Sequence, residues 1–221
     1  MSGEAERFFD AIAGRYDREY ALPAGLSKDR MRRVLRELPK APARVLDLGV
    51  GTGRELPALL DAGYAPTGVD VSREMLERCA RRSRPVPLVR ADFWAPLPFA
   101  DDAFEAAVAL HGTLSHPPTD GSLLSLGAEL ARVVVPGGVL LAEVPSPAWL
   151  DRLETLPTGG DRELRRTGPL TCVFEDRVAG ATIVARVLTE AEWGVALGPA
   201  LATRAHAMGE LEWLVVARLT R

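Results

Sequence analysis

VLDLGVGTGRELPALL, residues 45–60, places an acid, Asp47, inside an apolar run and follows it with a glycine at every second position. A buried carboxylate is costly without a partner, and glycines after a strand let a ligand approach the backbone closely. The glycines are Gly49, Gly51 and Gly53, so the spacing is G-x-G-x-G and not the G-x-G-x-x-G of dinucleotide-binding proteins. The stretch therefore predicts a buried strand, a ligand-binding turn and a helix.

Strand and helix patterns alternate on both sides of this stretch. Apolar strands are predicted at 43–49, 65–71, 87–92, 104–110 and 139–144. The helices predicted between them cover 54–63, 72–83 with Ser72 as N-cap, and 120–132, with a turn at VPGG, 135–138. Apolar strands that alternate with helices predict an α/β fold with a doubly wound, mostly parallel sheet, in which ligands bind at the carboxyl ends of the strands.

The flanking segments follow other patterns. Phe8, Ile12 and Tyr16 are spaced as on one face of an amphipathic helix, and a second helix is predicted over 27–38 with Ser27 as its cap. Beyond Pro145 the alternation stops. The expected elements there are a short helix near 147–155, a β-hairpin within 170–189 that turns near 178–180, a helix from Thr189, and a last strand at 210–219.

These patterns predict one domain over residues 1–221. It comprises an N-terminal helical cover (1–40), a cofactor-binding core (41–144), an acceptor-side insertion (145–188) and a C-terminal helix with strands (189–221).

The overall composition excludes several classes of protein. The chain has 221 residues, a net charge of −3 and 26% charged residues, which does not indicate a nucleic-acid or membrane partner. The two cysteines, Cys79 and Cys172, are far apart and form no C-x-x-C, so no metal site or disulfide framework is expected. The N-terminal residues do not resemble a signal peptide, and the apolar run 139–144 is too short to cross a bilayer. We therefore expect a cytoplasmic protein.

Asp47 discriminates between ligands for the glycine turn. A dinucleotide would present a pyrophosphate there, and a carboxylate would repel that anion. A ligand with a cationic end, such as an ammonium or a sulfonium, would be attracted instead. Alternatively, Asp47 only ties down amides of the loop, and both roles are compatible.

Two further strand ends carry acids. Asp70 follows Gly49 by 21 residues, where an acid can accept both hydroxyls of a ribose; the alternative is an acid that complements the dipole of the next helix. Met75 is placed to pack on a purine ring or in the core. Asp92 and Phe93 could accept an adenine amino group and support the base, although short Asp loops also cap turns.

The motifs VLDLGVGTG, GVDVSREML, ADFWAPLPFADDAFEAAVAL and ARVVVPGGVLLAEV, in this order, resemble the class I S-adenosylmethionine-dependent methyltransferases. Within that family the chain is most similar to the small-molecule branch that includes ubiquinone/menaquinone-biosynthesis enzymes. The resemblance is strong over about residues 8–144 and loose over 188–221. It implies a Rossmann-like methyltransferase fold and S-adenosylmethionine as the cofactor.

The resemblance also implies roles for individual residues. Asp47, Gly49, Gly51 and Gly53 would surround the methionine part of the cofactor, and Asp70, with Val71 beside it, would bind the ribose. Met75 and Phe93 would flank the adenine, Asp92 would meet its amino group, and Leu110 and His111 would lie near the sulfonium. The segment FFDAIAGRYDREY, residues 8–20, resembles an N-terminal cover in which Tyr16 would help to enclose the cofactor.

The acceptor chemistry is less defined. His111 and His116 are the candidate catalytic residues, because histidine can take a proton near neutral pH; either could equally be a loop residue without a chemical role. Two arginine-rich stretches, 30–36 and 78–85, are interpreted as solvated helix faces. Four apolar residues of the insertion suggest an apolar acceptor pocket or simply core: Trp149, Leu153, Leu156 and Phe174.

The sequence therefore predicts an S-adenosylmethionine-dependent methyltransferase that transfers a methyl group to a small-molecule acceptor by in-line displacement. Two alternatives stay open, a non-catalytic nucleoside-binding or regulatory module and an NAD-dependent oxidoreductase. The G-x-G-x-G spacing and Asp47 argue against the oxidoreductase.

Overall fold

The secondary structure follows the predicted alternation through the centre of the chain. The computed structural model describes residues 3–20, 24–82, 85–153 and 161–220. Its α-helices are α1 (Gly3–Ile12), α2 (Tyr16–Glu19), α3 (Ala24–Glu37), α4 (Leu56–Asp61), α5 (Arg73–Arg82), α6 (Ser122–Val133), α7 (Pro147–Asp151) and α8 (Glu190–Ala196), with a 3₁₀ helix at Thr113–Ser115. Its strands are β1 (Arg44–Leu48), β2 (Ala65–Asp70), β3 (Leu88–Arg90), β4 (Phe104–Ala109), β5 (Val134–Pro145), β6 (Arg162–Gly168), β7 (Thr171–Asp176), β8 (Ala181–Arg186), β9 (Leu201–Ala207) and β10 (Glu212–Leu219). Within these ranges no helix combines the length and the apolar character needed to cross a membrane.

Seven strands form one sheet in the order β3-β2-β1-β4-β5-β10-β9. The five strands from β3 to β5 run parallel, whereas β10 is antiparallel to both of its neighbours. The chain moves from β1 outward through β2 and β3 and then returns to β4 on the other side of β1. The strand order therefore reverses between β1 and β4, which is where α/β sheets bind ligands. The predicted doubly wound, mostly parallel sheet is confirmed.

Strand β1 contributes to the cores on both faces of the sheet. Leu46 and Leu48 are fully buried in the core that includes α6 and α8, and Val45 is buried in the core that includes α3. Successive side chains of a strand alternate between its faces, so Asp47 shares the face of Val45. This alternation places the acid on a buried face at the carboxyl end of the strand.

Some local predictions hold and others are wrong. Ser72 caps α5, because its hydroxyl oxygen accepts a hydrogen bond from the Met75 amide (3.1 Å); the predicted end of that helix at Ser83 lies outside the described residues. Ser27 is not a cap, because α3 already begins at Ala24. The VPGG segment, 135–138, is not a turn before the strand but an irregularity inside β5, where the pairing with β4 shifts register.

The insertion is larger than the predicted hairpin. The hairpin of β7 and β8 is confirmed, and β6 pairs with the outer edge of β7 to give a three-stranded antiparallel sheet. Sequence reasoning missed β6 because RELRRTG, 162–168, has five polar or charged residues and little apolar alternation. The short helix predicted near 147–155 is α7, which ends at Asp151.

Gly127 provides a test of how closely α6 packs. A Cβ added at Gly127 would lie 2.7 Å from the carbonyl carbon of Leu197. Gly127→Ala should therefore lower the free energy of unfolding by about 1–3 kcal/mol, as overpacking does, in spite of the better helix propensity of alanine. The matched control is Gly194→Ala in α8, where an added Cβ meets nothing within 4 Å. That variant should gain up to about 1 kcal/mol, and urea denaturation measures both. Equal effects would contradict the close packing.

Candidate functional site

A first cavity, of about 420 Å³, lies at the carboxyl ends of β1, β2 and β4. The cover and the insertion close it from the other side, through Phe9 of α1 and Ile183 of β8. Gly53 is the one predicted site residue that does not line it. The predicted residues that do line it are Tyr16, Asp47, Gly49, Gly51, Asp70, Val71, Met75, Asp92, Phe93, Leu110, His111 and His116.

The three glycines of the turn are required for different reasons. Gly49 has φ +67°, and a Cβ there would lie 2.6 Å from Cγ2 of Thr113. At Gly51 the nearest atom to an added Cβ is 3.9 Å away, which leaves the backbone open toward the cavity. Gly53 has φ +73°, and its added Cβ would lie 2.6 Å from Sγ of Cys79. The missing side chain at Gly53 therefore permits close packing on α5. Because Gly53 does not line the first cavity, its predicted contact with the ligand is not supported.

Asp47 is a buried acid without a hydrogen-bonding partner. Its exposed fraction is 4%, and no donor in the described part of the chain hydrogen-bonds its carboxylate. Burial raises its pKa well above the ordinary value, and the charges of Glu55 and Asp70 add to that effect. The role left open by the sequence, in which Asp47 ties down loop amides, is not observed. A cationic ligand would relieve this unfavourable site.

Asp70 links the two loops that follow β1 and β2. Its Oδ2 accepts from the Gly51 amide and its Oδ1 from the Ser72 amide, both at 2.8 Å. Burial raises its pKa to about 6, and these two amides limit the rise. A carboxylate has about four lone-pair sites, so Asp70 retains the capacity to accept further hydrogen bonds from a ligand.

The third strand end places an apolar wall beside these acids. Met75 is 1% exposed and packs with Phe8 of α1, so its predicted core role is confirmed. It also lines the first cavity, which is compatible with its predicted contact with a purine. Asp92 accepts a hydrogen bond from the Trp94 amide (3.0 Å), which is the turn-capping role considered for it. The rings of Phe93 and Trp94 lie 4.9 Å apart. Apolar surface and one acid are thus available there for a flat base.

His111 is held by two acids. Its backbone has φ +55°, and its amide donates to Oε2 of Glu143 (3.0 Å). Nε2 of its ring is hydrogen-bonded to the Glu55 carboxylate. Burial alone would raise the pKa of Glu55, but the hydrogen bond and the charge of His111 bring it below the ordinary value. The imidazole of His111 is therefore committed to an internal acid.

His116 has a different environment. Its Nδ1 lies 2.7 Å from the carbonyl oxygen of Val184, and since a carbonyl only accepts, Nδ1 carries the proton. The edges of Phe9 and Phe174 pack near the ring, with centroids 6.0 and 6.2 Å away. Burial lowers its pKa. The contact with Val184 and the burial together favour the neutral imidazole that carries its proton on Nδ1.

The interpretation of the arginine-rich stretch 30–36 as a solvated face is wrong for Arg30. Arg30 is 7% exposed, and its guanidinium bonds Glu143 (Nε to Oε1, 2.9 Å) and Glu212 (2.9 Å). Arg32 and Arg33 of the same helix are exposed, as expected. The pair with Glu143 could not be read from the sequence, because 113 positions separate the two residues.

Sequence reasoning also missed Arg54 and Glu55, which follow the glycine turn. Arg54 donates to the carbonyl oxygen of Tyr20 (2.7 Å), and its guanidinium lies 4.9 Å from the centroid of the Tyr16 ring. Burial raises the pKa of Tyr16 to about 12, so its hydroxyl stays protonated. Acids at a helix start usually complement the dipole, so the sequence alone did not point to the pairing of Glu55 with His111.

A second cavity, of about 250 Å³, adjoins the first on the side of the insertion. Trp149 and Phe174 line it, as the predicted apolar acceptor pocket requires. Leu153 is instead buried in a core cluster with Cys172. Leu156 lies outside the described residues.

Comparisons with known proteins agree with this geometry. Residues 45–138 match the family described as a methyltransferase domain. A demethylmenaquinone methyltransferase of Corynebacterium kroppenstedtii is 38% identical over 139 residues, 62% of this chain and 58% of the relative. A putative 23S rRNA (guanine-N(1)-)-methyltransferase of Micromonospora griseorubida is 36% identical over 140 residues, 61% of this chain and 44% of the relative. A solved S-adenosylmethionine-dependent methyltransferase of Clostridium acetobutylicum superposes with a TM-score of 0.71 at 14% identity, covering 97% of this chain and 100% of that chain.

The strand order is that of a Rossmann-like fold, and the solved methyltransferase shares this fold. Residues 45–138 match a methyltransferase domain, in agreement with the resemblance to the class I S-adenosylmethionine-dependent methyltransferases that the motifs indicated. It spans less than two thirds of the length of the curated relatives described above.

Asp47→Asn tests the unpartnered carboxylate in the ligand-free protein. The folded-state pKa of Asp47 lies above its unfolded value of about 3.9, so the ionised form destabilises the fold at neutral pH. The variant should therefore unfold with a larger free energy at pH 7.5, and the difference should shrink as the pH falls through the raised pKa.

Urea denaturation between pH 5 and 8 measures this difference. Asp120→Asn is the control, because that side chain is 96% exposed and its pair with Arg186 is a surface ion pair worth about 0–1 kcal/mol. A destabilised Asp47→Asn protein would show that the carboxylate has a favourable partner in the ligand-free protein.

Proposed function

We propose that the chain binds S-adenosylmethionine in the first cavity and transfers its methyl group to a small-molecule acceptor that enters the second cavity. The observation that carries the proposal is the Asp47 carboxyl group, which is buried in the first cavity and has no hydrogen-bond partner among the described residues. Its ionised form would attract a cation. When bound, the cofactor supplies an electrophilic methyl group on a positively charged sulfur.

The residues that line the first cavity fit this cofactor. Asp47 and the open backbone at Gly51 would hold the charged methionine part, and Asp70 would accept the ribose hydroxyls. Met75 and Phe93 would flank the adenine, and Asp92 would face its amino group. Tyr16 of the cover and His111 after β4 line both cavities, and Leu110 lines the first.

The acid also separates this function from the alternatives. A dinucleotide would bring a pyrophosphate to the glycine turn, where Asp47, Glu55 and Asp70 already crowd negative charge. An NAD-dependent oxidoreductase is therefore disfavoured. A non-catalytic nucleoside-binding module would bind its ligand in the same first cavity. Only a measurement of turnover distinguishes such a module from an enzyme.

A small acceptor is favoured by the enclosure of the site. The relatives carry names with acceptors as different as demethylmenaquinone and a 23S rRNA guanine, so the matched residues do not choose between acceptors. Here the cover and the insertion roof the cavities, and a net charge of −3 gives no attraction for a nucleic acid. We also propose that the protein acts in the cytoplasm and that residues 1–221 work as one domain.

Calorimetry with S-adenosylmethionine, S-adenosylhomocysteine and NADH tests the cofactor. The protein should bind the first two and not NADH, and Asp47→Asn should weaken S-adenosylmethionine about 10- to 100-fold, the value of a hydrogen bond to a charged group. If Asp47 faces the ammonium, S-adenosylhomocysteine loses as much; if it faces the sulfonium, only S-adenosylmethionine does.

Asp120→Asn is the matched control for that titration and should bind all three ligands as the parent protein does. Tight NADH binding without S-adenosylhomocysteine binding would overturn the proposal. Binding of the cofactor without transfer of a labelled methyl group to any phenol, amine, thiol or carboxylate would favour the non-catalytic module.

A further inference from the structure

We propose that the acceptor is a planar aromatic hydroxyl compound of one or two rings, held in the second cavity between two aromatic pairs, and that His116, and not His111, takes its proton. This inference rests on the proposed function and narrows it to a substrate class and a base.

The second cavity is placed for an acceptor. It shares a boundary with the first cavity that consists of Tyr16, Tyr20, Arg54, His111, Gly112 and His116. In-line displacement requires the nucleophile to face the methyl group directly, and this boundary is where the two cavities meet. Its volume of about 250 Å³ lies just under the roughly 300–1,000 Å³ of pockets for drug-sized ligands, which limits the enclosed part of an acceptor to one or two rings.

Two stacked aromatic pairs line this cavity. The rings of Tyr16 and Tyr20 are 4.9 Å apart with an interplanar angle of 22°, and those of Trp149 and Phe174 are 5.8 Å apart at 16°. Aromatic side chains that line a cavity favour a flat aromatic ligand, because contacts between rings add to the burial of apolar surface. A saturated ring of the same size would bury apolar area without that contribution.

His116 is the group that can accept a proton at the boundary. Its Nδ1 donates to Val184 (2.7 Å), which fixes the tautomer, and no group in the described part of the chain hydrogen-bonds Nε2. The ring lines both cavities. His111 lines them too, but its Nε2 is hydrogen-bonded to Glu55. Its ring therefore positions the loop rather than receiving the acceptor's proton.

The charges around the boundary favour an oxygen acceptor. Arg54 lines the boundary and forms no ion pair with a carboxylate among the described residues, so its charge stabilises an acceptor oxygen that becomes anionic. Four titratable residues besides His116 line both cavities: Tyr16, Tyr20, Arg54 and His111. The first cavity is also lined by Glu4, Asp47, Glu55, Asp70 and Asp92, and the second by Arg30, Glu143 and Glu212. Arg30 forms ion pairs with both Glu143 and Glu212. The residues of β7 and β8 that line the cavities are uncharged.

The proposed transfer balances without another reactant. An oxygen–methyl bond forms while the sulfur–methyl bond breaks, and the electron pair of the broken bond stays on sulfur. The hydroxyl proton passes to Nε2 of His116, which becomes cationic as the sulfur becomes neutral.

Binding is the first test, with S-adenosylhomocysteine-loaded protein and three probes of matched shape: 2-naphthol, 2-naphthylamine and decahydro-2-naphthol. Calorimetry should show 2-naphthol at least 5-fold tighter than the saturated alcohol. Phe174→Leu should remove most of that preference, and Val178→Leu, at an exposed position of the insertion, should keep it. Equal affinity for the two alcohols would overturn the aromatic cavity.

Turnover with labelled S-adenosylmethionine then tests the base. 2-Naphthol should be methylated on oxygen and 2-naphthylamine should not, and His116→Gln should lower kcat by about 10²- to 10⁴-fold with unchanged affinity for S-adenosylhomocysteine. His206→Gln, on the exposed β9, is the matched control and should keep the parent kcat. The acidic fall of kcat/KM in the parent protein should be absent from the residual activity of His116→Gln.

An NMR spectrum of the histidine ring nitrogens gives a readout independent of activity. At pH 7 the signal that disappears in His116→Gln should be that of a neutral ring protonated on Nδ1. A cationic or Nε2-protonated ring, methylation of the amine alone, no methylation of 2-naphthol, or parent kcat in His116→Gln would each overturn the inference. Loss of S-adenosylhomocysteine binding by the parent protein would instead overturn the proposed function.

Discussion

Three carboxylates, those of Asp47, Glu55 and Asp70, lie close together at one buried end of the parallel sheet. The other contacts of the site depend on the repulsion between them. Asp70 is stabilised by two backbone amides, and Glu55 by His111. Asp47 has neither. Charges this close in a poorly solvated site cannot all be ionised at low cost, so Asp47 favours its protonated form in the ligand-free protein. A cationic ligand would instead favour the carboxylate, which couples ligand binding to the loss of this proton.

Those parts of the fold that depend on local signals could be predicted from the sequence. The buried strands, the cap at Ser72 and the helix that starts after Thr189 follow from apolar runs and neighbouring side chains, and the structure contains each of them. Strand β6 could not be predicted in this way, because its arginine-rich sequence becomes a strand only by pairing with β7. Tertiary context outweighs strand propensity in such cases.

The site divides in the same way. The acids and glycines of the first cavity lie at strand ends, and topology alone gathers them. The burial of Arg30, the pairing of Glu55 with His111 and the tautomer of His116 depend on partners far away in the chain. Residue spacing does not reveal such contacts, so the sequence alone could not distinguish the roles of His111 and His116.

Hydrogen bonds join the N-terminal cover to the loops that carry the predicted cofactor-binding residues. Ser72 donates to Asp10 of α1 (2.5 Å), and Thr52, within the glycine turn, donates to Asp17 of α2 (2.6 Å). Docking of the cover and occupancy of the first cavity are therefore linked equilibria, and linkage is reciprocal. If the docked cover strengthens cofactor binding, a bound cofactor stabilises the docked N-terminal helices by the same free energy. Undocking of residues 3–20 should therefore cost less free energy when the first cavity is empty than when it is occupied.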